Sequence, residues 1–536
     1  MYILGISGGI RVGNQDGSAT LLENGKLIAA AEEERFLKVK FAPGYLPLNA
    51  IKFCLKFADV SIHDIDYLVF PGITYTNIET ILTSYFNHYF GHCPKIKLVD
   101  HHMAHAASAY HTSKFEESMI LTADLSGDSK CATLCHGVGD EIRILKDFKR
   151  PNSLGIFYSI ITQYLGFKRD SDEYKVMGLS SYGKNNYDFS SLVSYDKGTY
   201  SLNLDYVKDI EGKPMPSKQE SLYNDKFLTK FNKPRISGIP ISDYHKDIAS
   251  SAQEHLNNIA LSLVEFLFEK TECKNLCVAG GTALNVVMNQ KLRESKFVDN
   301  IFMTSVSGDN GLSLGAAIMV AKENGFEIEK YEHAFWGPEY SDDEIEIILS
   351  RAKIQYSKSS DIAKDVSSMV SEGKIMGWFE GRMEYGARAL GSRSIISDPR
   401  DKEMKDKLNK FVKFREDFRP FAPSVLKERA QEYFIDCFES PFMNMTFDVE
   451  ESKRTEIPTP THVDNTARVQ TISKNQNPLY YDLISNFEKI TNVPVVTNTS
   501  LNVMGQPICL SPVDALSTFF STGMDGIAIG NYLLIK

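Results

Sequence analysis

Three short apolar runs, each closing on a polar or glycine-rich edge, constrain the fold of this chain more than any other feature. Lys97 to Val99 runs into Asp100-His101-His102, Met119 to Ala123 into Asp124-Leu125-Ser126-Gly127-Asp128, and Leu276 to Ala279 into Gly280-Gly281. Runs of that length and character read as buried strands. In α/β proteins the chemistry gathers where such strands end. Ahead of them, Ile3 to Ile6, Ala19 to Leu22 and Lys26 to Ala31 read as three more strands, the last two joined through Asn24-Gly25. That pattern predicts an antiparallel meander at the start of the chain. A helix follows over Leu46 to Phe57, with Pro47 in its first turn and Ile51, Leu55 and Ala58 on one face. Tyr67 to Phe70 is the next strand, and Ala249 to Glu269 an amphipathic helix with Leu256, Ile259, Leu263 and Phe266 on its apolar side.

The chain has 536 residues, room for about two to four domains. Composition shifts at residues 337 to 350, after Trp336-Gly337-Pro338. A helix over Ile362 to Glu372 then leads through Gly373 into a strand at Lys374 to Phe379. Residues 186 to 245, with Pro214, Pro216, Pro234 and Pro240, read as an insertion or a cover over a pocket, and Ser452 to Asp464 as a surface loop. Lys and Arg total 59 against 69 Asp and Glu, a formal charge of −10. That balance argues against bulk nucleic-acid binding or attachment to an anionic membrane. A small basic pocket remains compatible with it. MYILGISGG has none of the marks of a signal peptide, and no run of apolar residues is long enough to span a bilayer. The eight cysteines are sparse and lack zinc-knuckle spacing. A cytoplasmic, reduced protein is expected.

His101 and His105 lie four residues apart in an alanine-rich stretch that favours helix, so they share one face. Neutral imidazoles so spaced can grip one divalent ion, and Asp124 and Asp309 could complete the set with carboxylate oxygens. A capped or packed histidine pair has the same spacing. In VAGGTALN, a strand enters Gly280-Gly281 and a helix begins at Ala283, which offers Gly280, Gly281 and Asn285 to a nucleotide. The block matches neither a Walker motif nor GxGxxG, and a packing turn is the other reading. The second half holds a basic concentration: Arg382, Arg388, Arg393, Arg400, Lys410, Lys413, Arg415 and Arg419. Guanidinium forks among glycines suit phosphate oxygens, and a surface salt-bridge network suits the composition equally. Phe411, Phe414, Phe418 and Phe421 argue against a purely solvated stretch.

The ordered blocks AAAEEERF from Ala29, VDHHMAHAASAY from Val99, DEYKVMGL from Asp172, AGGTALNVVMN from Ala279 and SGDNGLSLGAA from Ser307 carry a resemblance over nearly the whole chain. It resembles the O-carbamoyltransferases of antibiotic and nodulation-factor biosynthesis. The resemblance implies an α/β and α+β chain. Residues 1–345 would form a domain of the actin/Hsp70-like ATPase fold (ASKHA), similar to the tRNA threonylcarbamoyladenosine transferases. Residues 346–370 would be a linker and first helix, and residues 371–536 a YrdC-like domain that forms carbamoyl-adenylate. The implied cofactors are ATP with Mg²⁺ and one transition-metal ion, Fe²⁺ in the first place, with Mn²⁺ or Zn²⁺ open.

On the same resemblance, His101, His105, Asp124 and Asp309 match the family's metal ligands. Arg388, Lys413, Arg415 and Arg419 match its strongest basic positions. HVDNTARVQTI brings in His462 and assigns Arg468 to carbamoyl phosphate; NTSLNVMGQPI brings in Asn498, for nucleotide phosphate or ribose. Relatives usually carry His-Asp where this chain has Gln15-Asp16. Glutamine cannot take a proton near neutral pH, so either that histidine only positions substrate in relatives, or its role moves or is not required here, or the acceptor differs; the residues identify no base, and Asp16 is a candidate. The implied partners are carbamoyl phosphate and a hydroxyl-bearing small molecule or sugar, such as an aminoglycoside, macrocyclic polyketide, cephem or chitin-like oligosaccharide. Residues 186 to 245 could shape the acceptor mouth. Homodimerisation is common in such enzymes. Two alternatives are a threonylcarbamoyl-type transferase acting on tRNA, which the acidic balance opposes, and an actin-like-fold ATPase or sugar kinase, which leaves the arginine-rich second half idle.

Overall fold

The computed structural model describes residues 1–9, 15–208, 210 and 215–536. It divides into two compact units. Met1–Leu68, His92–Lys95 and Tyr331–Lys536 form one, and Val69–Gly91 with Ile96–Lys330 the other.

Unit one opens with the expected meander: strands Tyr2–Ser7, Ser18–Glu23 and Lys26–Glu32, antiparallel throughout. Asn24 and Gly25 both take positive φ, 49° and 83°, the pair of left-handed residues that a tight hairpin turn requires. Helix Leu48–Phe57 buries Ala50, Ile51, Cys54 and Leu55. Its start is held by Glu33, whose carboxylate accepts from the backbone N–H groups of Asn49 and Ala50, both at 2.9 Å. The rest of the unit is built on an eight-stranded mixed sheet in the order Ser357–Lys358, Tyr532–Ile535, Gly526–Ile529, Met376–Phe379, Arg393–Ser397, Val495–Ser500, Ala422–Leu426, Gln470–Ile472. Two neighbouring pairs are parallel, Met376–Phe379 with Gly526–Ile529 and Ala422–Leu426 with Gln470–Ile472. The expected helix and strand around Gly373 are Ile362–Ser371 and Met376–Phe379. Trp378, the largest side chain to be fully buried, donates its indole N–H to Gly391 O at 3.0 Å.

Residues 452–464 are not a simple surface loop. Ile457, Thr459 and Pro460 are buried, and Thr459 Oγ1 donates to Asp401 O at 2.6 Å. Thr459 N also donates to Pro399 O at 3.1 Å, so the buried middle of a polar, proline-bearing run anchors the segment.

Unit two is built on a five-stranded sheet in the order Asn300–Phe302, Asn275–Ala279, Glu117–Gly127, Lys130–Val138, Glu141–Lys149. The first three strands run parallel and the last two turn back as an antiparallel ribbon. Helix His101–Tyr110 packs Ala106, Ala109 and Tyr110 against Ile120, Cys135 and Cys277 of this sheet. Helix Leu312–Glu323 lies against it so closely that a Cβ on Gly315 would sit 1.8 Å from Ala104 O; only glycine permits that crossing. The amphipathic helix is longer than expected, Asp243–Thr271, because Ser242 and His245 form a reciprocal cap at its start. Residues 186–245 fold into a hairpin, Val193–Asp196 with Thr199–Leu202, and a helix, Asp225–Phe231. Aromatic contacts among Phe189, Tyr223, Phe227 and Phe231 fasten them. Pro214 lies outside the described residues. All eight cysteines are free thiols, and among the described residues no helix is long and apolar enough to cross a membrane.

Candidate functional site

In unit two, the ends of two parallel strands and the starts of two helices converge. Asp100 caps helix His101–Tyr110 by accepting from Met103 N at 3.0 Å, so the helix begins at the first ligand candidate. Asp128 fixes that start from the other side, accepting from His101 N at 2.9 Å and from Thr74 N at 3.0 Å. Gly127 makes room, since a Cβ there would lie 2.2 Å from the His101 ring. Asp124 ends its run on strand Glu117–Gly127, and Asp309 opens the turn before helix Leu312–Glu323.

Four side chains predicted to be ligands therefore come together. His105 Nε2 lies 3.1 Å from Asp124 Oδ2 and 3.4 Å from Asp309 Oδ1; His101 Nε2 lies 3.6 and 3.7 Å from the same two oxygens. Their ligand atoms all fall within 4.8 Å of one another. His102 points elsewhere, with Nδ1 at 2.8 Å from Thr122 Oγ1, and burial pushes its pKa down to about 3. Burial also opposes a charge on His105, but the hydrogen bonds and charges of Asp124 and Asp309 prevail and hold its pKa up at about 9. Asp124 is correspondingly held well below the usual carboxylate range, against its burial. Asp309 is pushed up, first by burial and then by the Asp124 charge. His101 Nε2 is buried without a hydrogen-bond partner. A buried orphan nitrogen facing two carboxylates fits a divalent ion, and two nitrogens with two oxygens suit Fe²⁺, Mn²⁺ or Zn²⁺.

The glycine pair beside this quartet has two jobs. Gly280, at φ 88°, would put a Cβ 2.2 Å from Ala123 O, so close strand packing requires it. Gly281 lies open toward Asp124, a Cβ there standing 3.1 Å from Oδ1. Asn285 is 8% exposed and is taken up by the fold. It caps helix Val286–Arg293, accepting from Met288 N at 3.0 Å, and exchanges hydrogen bonds with Gln253 at 2.9 and 3.1 Å.

Unit one sorts the basic residues by what their donors already hold. Arg393 donates to the carbonyls of Glu380, Gly381, Ser392 and Pro338. Arg382 donates to Ile28 O and Trp336 O, and Arg400 grips Asp398 through two nitrogens. These three are framework. Lys413 is 3% exposed at the end of a π-helical turn, Leu408–Lys413. Its ammonium meets Ser500 O, Asn502 O and Asn502 Oδ1, each at 2.7 Å, and Ser500 Oγ at 3.2 Å. Three N–H groups face four acceptors, so the lysine ties down the loop after strand Val495–Ser500. Burial, then the charges of Arg415 and Arg419, push its pKa well down. The four phenylalanines of this stretch divide: Phe411 and Phe414 are about half exposed, whereas Phe421 is buried.

Arg388, Arg415, Arg419 and Arg468 come together instead. Burial, followed by the neighbouring charge of Arg419, holds the pKa of Arg388 down at about 10. Burial and the charges of Arg388, Arg415 and Arg419 push Arg468 well down. Arg415 is braced by Asn409 Oδ1 at 2.7 Å and Pro420 O at 3.1 Å, and lies over the Phe421 ring. Arg419 has Glu416 at 4.0 Å. Among the described residues no carboxylate lies within ion-pairing distance of Arg388 or Arg468, and Arg468 Nε is buried without a partner. Clustered like charges of this kind call for an anion.

Asn498 lies within strand Val495–Ser500 and not at its end. Its Nδ2 donates to Ala389 O, Ser424 Oγ and Gln470 Oε1, and its Oδ1 is a buried acceptor with no donor. His462 holds a turn, with Nδ1 at 3.2 Å from Thr466 Oγ1 and Nε2 at 3.3 Å from Phe421 O; burial pushes its pKa down to about 4. Asp16 belongs to unit one, in a left-handed conformation with its N–H donating to Phe41 O at 2.7 Å. Sequence reasoning missed Glu384. This residue is 1% exposed, and its Oε1 accepts from Leu390 N, Ser392 N and Arg393 N at 2.7 to 3.1 Å, folding the loop that carries Arg388. A glutamate between glycines gives no sign of such a task.

The family profile described as carbamoyltransferase N-terminus matches residues 3–93 and 90–318, and the one described as carbamoyltransferase C-terminus matches residues 367–536. The chain belongs to the carbamoyltransferase family. It is an enzyme of the transferase class. Nodulation protein NolNO of Sinorhizobium fredii is 37% identical over all of this carbamoyltransferase and 83% of its own length. Nodulation protein NolO of Bradyrhizobium diazoefficiens is 37% identical over 82% of this chain and 79% of its own. Among solved structures, full-length HypF in its phosphate- and nucleotide-bound form aligns over 61% of this chain and 47% of that one, at 14% identity and a TM-score of 0.35. That likeness is too loose to carry an argument.

Proposed function

We propose that this carbamoyltransferase is an ATP-dependent O-carbamoyltransferase working in two steps. The observation that supports it most is the cluster of Arg388, Arg415, Arg419 and Arg468, in which Arg388 and Arg468 have no carboxylate partner among the described residues. The family resemblance supplies the chemistry that such a cluster would serve. Water first releases phosphate from carbamoyl phosphate and leaves carbamate. A carbamate oxygen then attacks the α-phosphorus of ATP; pyrophosphate leaves, and carbamoyl-adenylate forms. The guanidinium forks stabilise charge developing on the phosphate oxygens, and Mg²⁺, when bound with ATP, would supply further charge neutralisation. Arg468 holds the carbamoyl phosphate end. Lys413 keeps the Ser500–Asn502 loop in place, and Asn498 orders the strands beside Arg388.

In the second step, an acceptor hydroxyl attacks the carbamoyl carbonyl, the carbamate ester forms, and AMP leaves. His101, His105, Asp124 and Asp309 would hold the divalent ion, which when bound supplies Lewis-acid polarisation. Gly281 leaves the side of Asp124 open, and Asp16 is the base candidate. In this reading residues 1–345 correspond to the ASKHA-type transfer domain, and residues 371–536, after the 346–370 linker, to the YrdC-like domain. The acceptor is a natural-product or sugar hydroxyl.

The test is to mix the protein with ATP, Mg²⁺ and carbamoyl phosphate without acceptor, and to follow pyrophosphate and adenylate by mass spectrometry. Carbamoyl-adenylate with pyrophosphate, lost in Arg388→Ala and weakened in Arg468→Ala, is expected. ADP with phosphate and no adenylate would refute the reading in favour of a kinase or ATPase.

A further inference from the structure

The block AAAEEERF has no role in the chemistry above, yet two of its charged side chains are buried against the loop that carries Arg388. Glu32 is 3% and Arg35 4% exposed. Arg35 Nη2 donates to Gly386 O at 2.8 Å, and Gly386 N donates to Glu32 Oε1 at 3.0 Å. The two side chains also meet each other, at 3.3 Å, while Arg35 Nη1 reaches Glu34 Oε1 at 2.5 Å. Both backbone polar groups of Gly386 are thus held by the end of strand Lys26–Glu32 and the turn of helix after it. Gly386 has φ 137°, a conformation closed to other residues, and stands two residues before Arg388. Tyr385, fully buried, adds a contact from its hydroxyl to Thr20 Oγ1 at 3.3 Å. Glu384 folds the far side of the same loop. The grip crosses the two family profiles, because Glu32 and Arg35 fall in the N-terminal one and Gly386 in the C-terminal one.

We propose that Glu32 and Arg35 are positioning residues for the arginine anion site: by fixing both polar groups of Gly386 they set where Arg388 points. A guanidinium aligned by a rigid loop binds phosphate with less ordering cost than one on a loose loop. The anion pocket is therefore completed by the first forty residues of the chain. The inference rests on the reading of that cluster as a nucleotide and carbamoyl phosphate site.

The experiment uses the full-length protein with two probes, inorganic pyrophosphate and ATP with Mg²⁺, titrated calorimetrically. Arg35→Ala is expected to weaken pyrophosphate about tenfold or more, the loss of a charge-assisted hydrogen bond. Glu32→Gln keeps an acceptor for Gly386 N and is expected to retain most of the wild-type affinity. In adenylate formation, the KM for ATP rises more than kcat falls. In an Arg388→Ala background, Arg35→Ala is expected to cost no further affinity, since it acts through Arg388. A merely structural role would lower both backgrounds alike, and that result overturns the proposal. Wild-type affinity in Arg35→Ala also overturns it. If Arg35→Ala fails to fold, Glu32→Ala and the milder Arg35→Lys decide on the same cycle. Wild-type protein that binds neither probe would overturn the nucleotide reading itself, a result distinct from equal binding in wild type and variant.

Discussion

Lys413→Met separates two meanings of a buried lysine. The substitution keeps most of the stem and removes the ammonium that now meets Ser500 O, Asn502 O and Asn502 Oδ1 at 2.7 Å each. Asn502 Oδ1 retains Ser500 Oγ at 2.6 Å and Ser500 O retains Asn502 N at 3.0 Å, so one backbone carbonyl, Asn502 O, is left unpaired. That costs about 1–3 kcal/mol. Part of this is offset because a buried ammonium no longer has to be desolvated. A net loss of about 1 kcal/mol follows, and at about 2–4 °C per kcal/mol for units of this size the melting temperature should fall by about 2–4 °C. The assay is a thermal melt paired with pyrophosphate release. The expected pattern is a lower melting temperature with adenylate formation reduced and partly restored at high ATP, because the loop loosens while the arginines remain. An unchanged melting temperature with abolished adenylate formation would show that Lys413 contacts phosphate, and would refute the tether.

Other outcomes follow from the same geometry. His105→Ala, or stripping with a chelator that is removed before Mg²⁺ is added, is expected to remove the transition metal and with it carbamoyl transfer, leaving pyrophosphate release intact; metal analysis and the two half-reactions check this. Gly127→Ala should displace the His101 ring, since its Cβ would fall 2.2 Å from it, and lower metal affinity in a metal titration. Arg468→Ala should raise the KM for carbamoyl phosphate more than that for ATP, measured in the adenylate half-reaction. Burial pushes the Glu380 carboxyl from 4.5 up to about 8, against the opposing charge of Arg393. Between those values the folded chain holds a proton that the unfolded chain has released, so stability falls as pH rises, by up to about 1.4 kcal/mol per pH unit. Glu380→Gln should flatten that slope in melts from pH 5 to 8.

The parts of the site that sequence revealed are those fixed by local spacing. His101 and His105 share a face because any helix puts i and i+4 together, and Asn24-Gly25 turns because its residues tolerate positive φ. Asp124 and Asp309 lie 185 positions apart, and their residue types alone said nothing of meeting; the ordered family blocks brought them together. What stayed hidden depends on long-range pairing. Asn285 looked like a nucleotide contact until Gln253, on another helix, took its polar atoms. The π turn at Leu408–Lys413 has no sequence mark, and it turns Lys413 inward and two phenylalanines outward.

Counting arginines in the GWFEGRMEYGARALGSRSI block cannot separate binding groups from framework, because a guanidinium does either task with the same fork. The deciding quantity is how many of its donors the protein already occupies. Arg393 donates to four carbonyls, and a phosphate could bind it only by breaking the loop that those bonds define. Arg388, on that loop, has no carboxylate partner among the described residues, and its neighbour Arg419 raises the cost of leaving it bare. Framework arginines and the Glu32–Arg35 grip thus hold a loop on which Arg388 faces other positive charges. An arrangement of that kind is costly when empty and relieved by an anion, so stability itself should rise when pyrophosphate binds, by an amount set by its concentration over its dissociation constant.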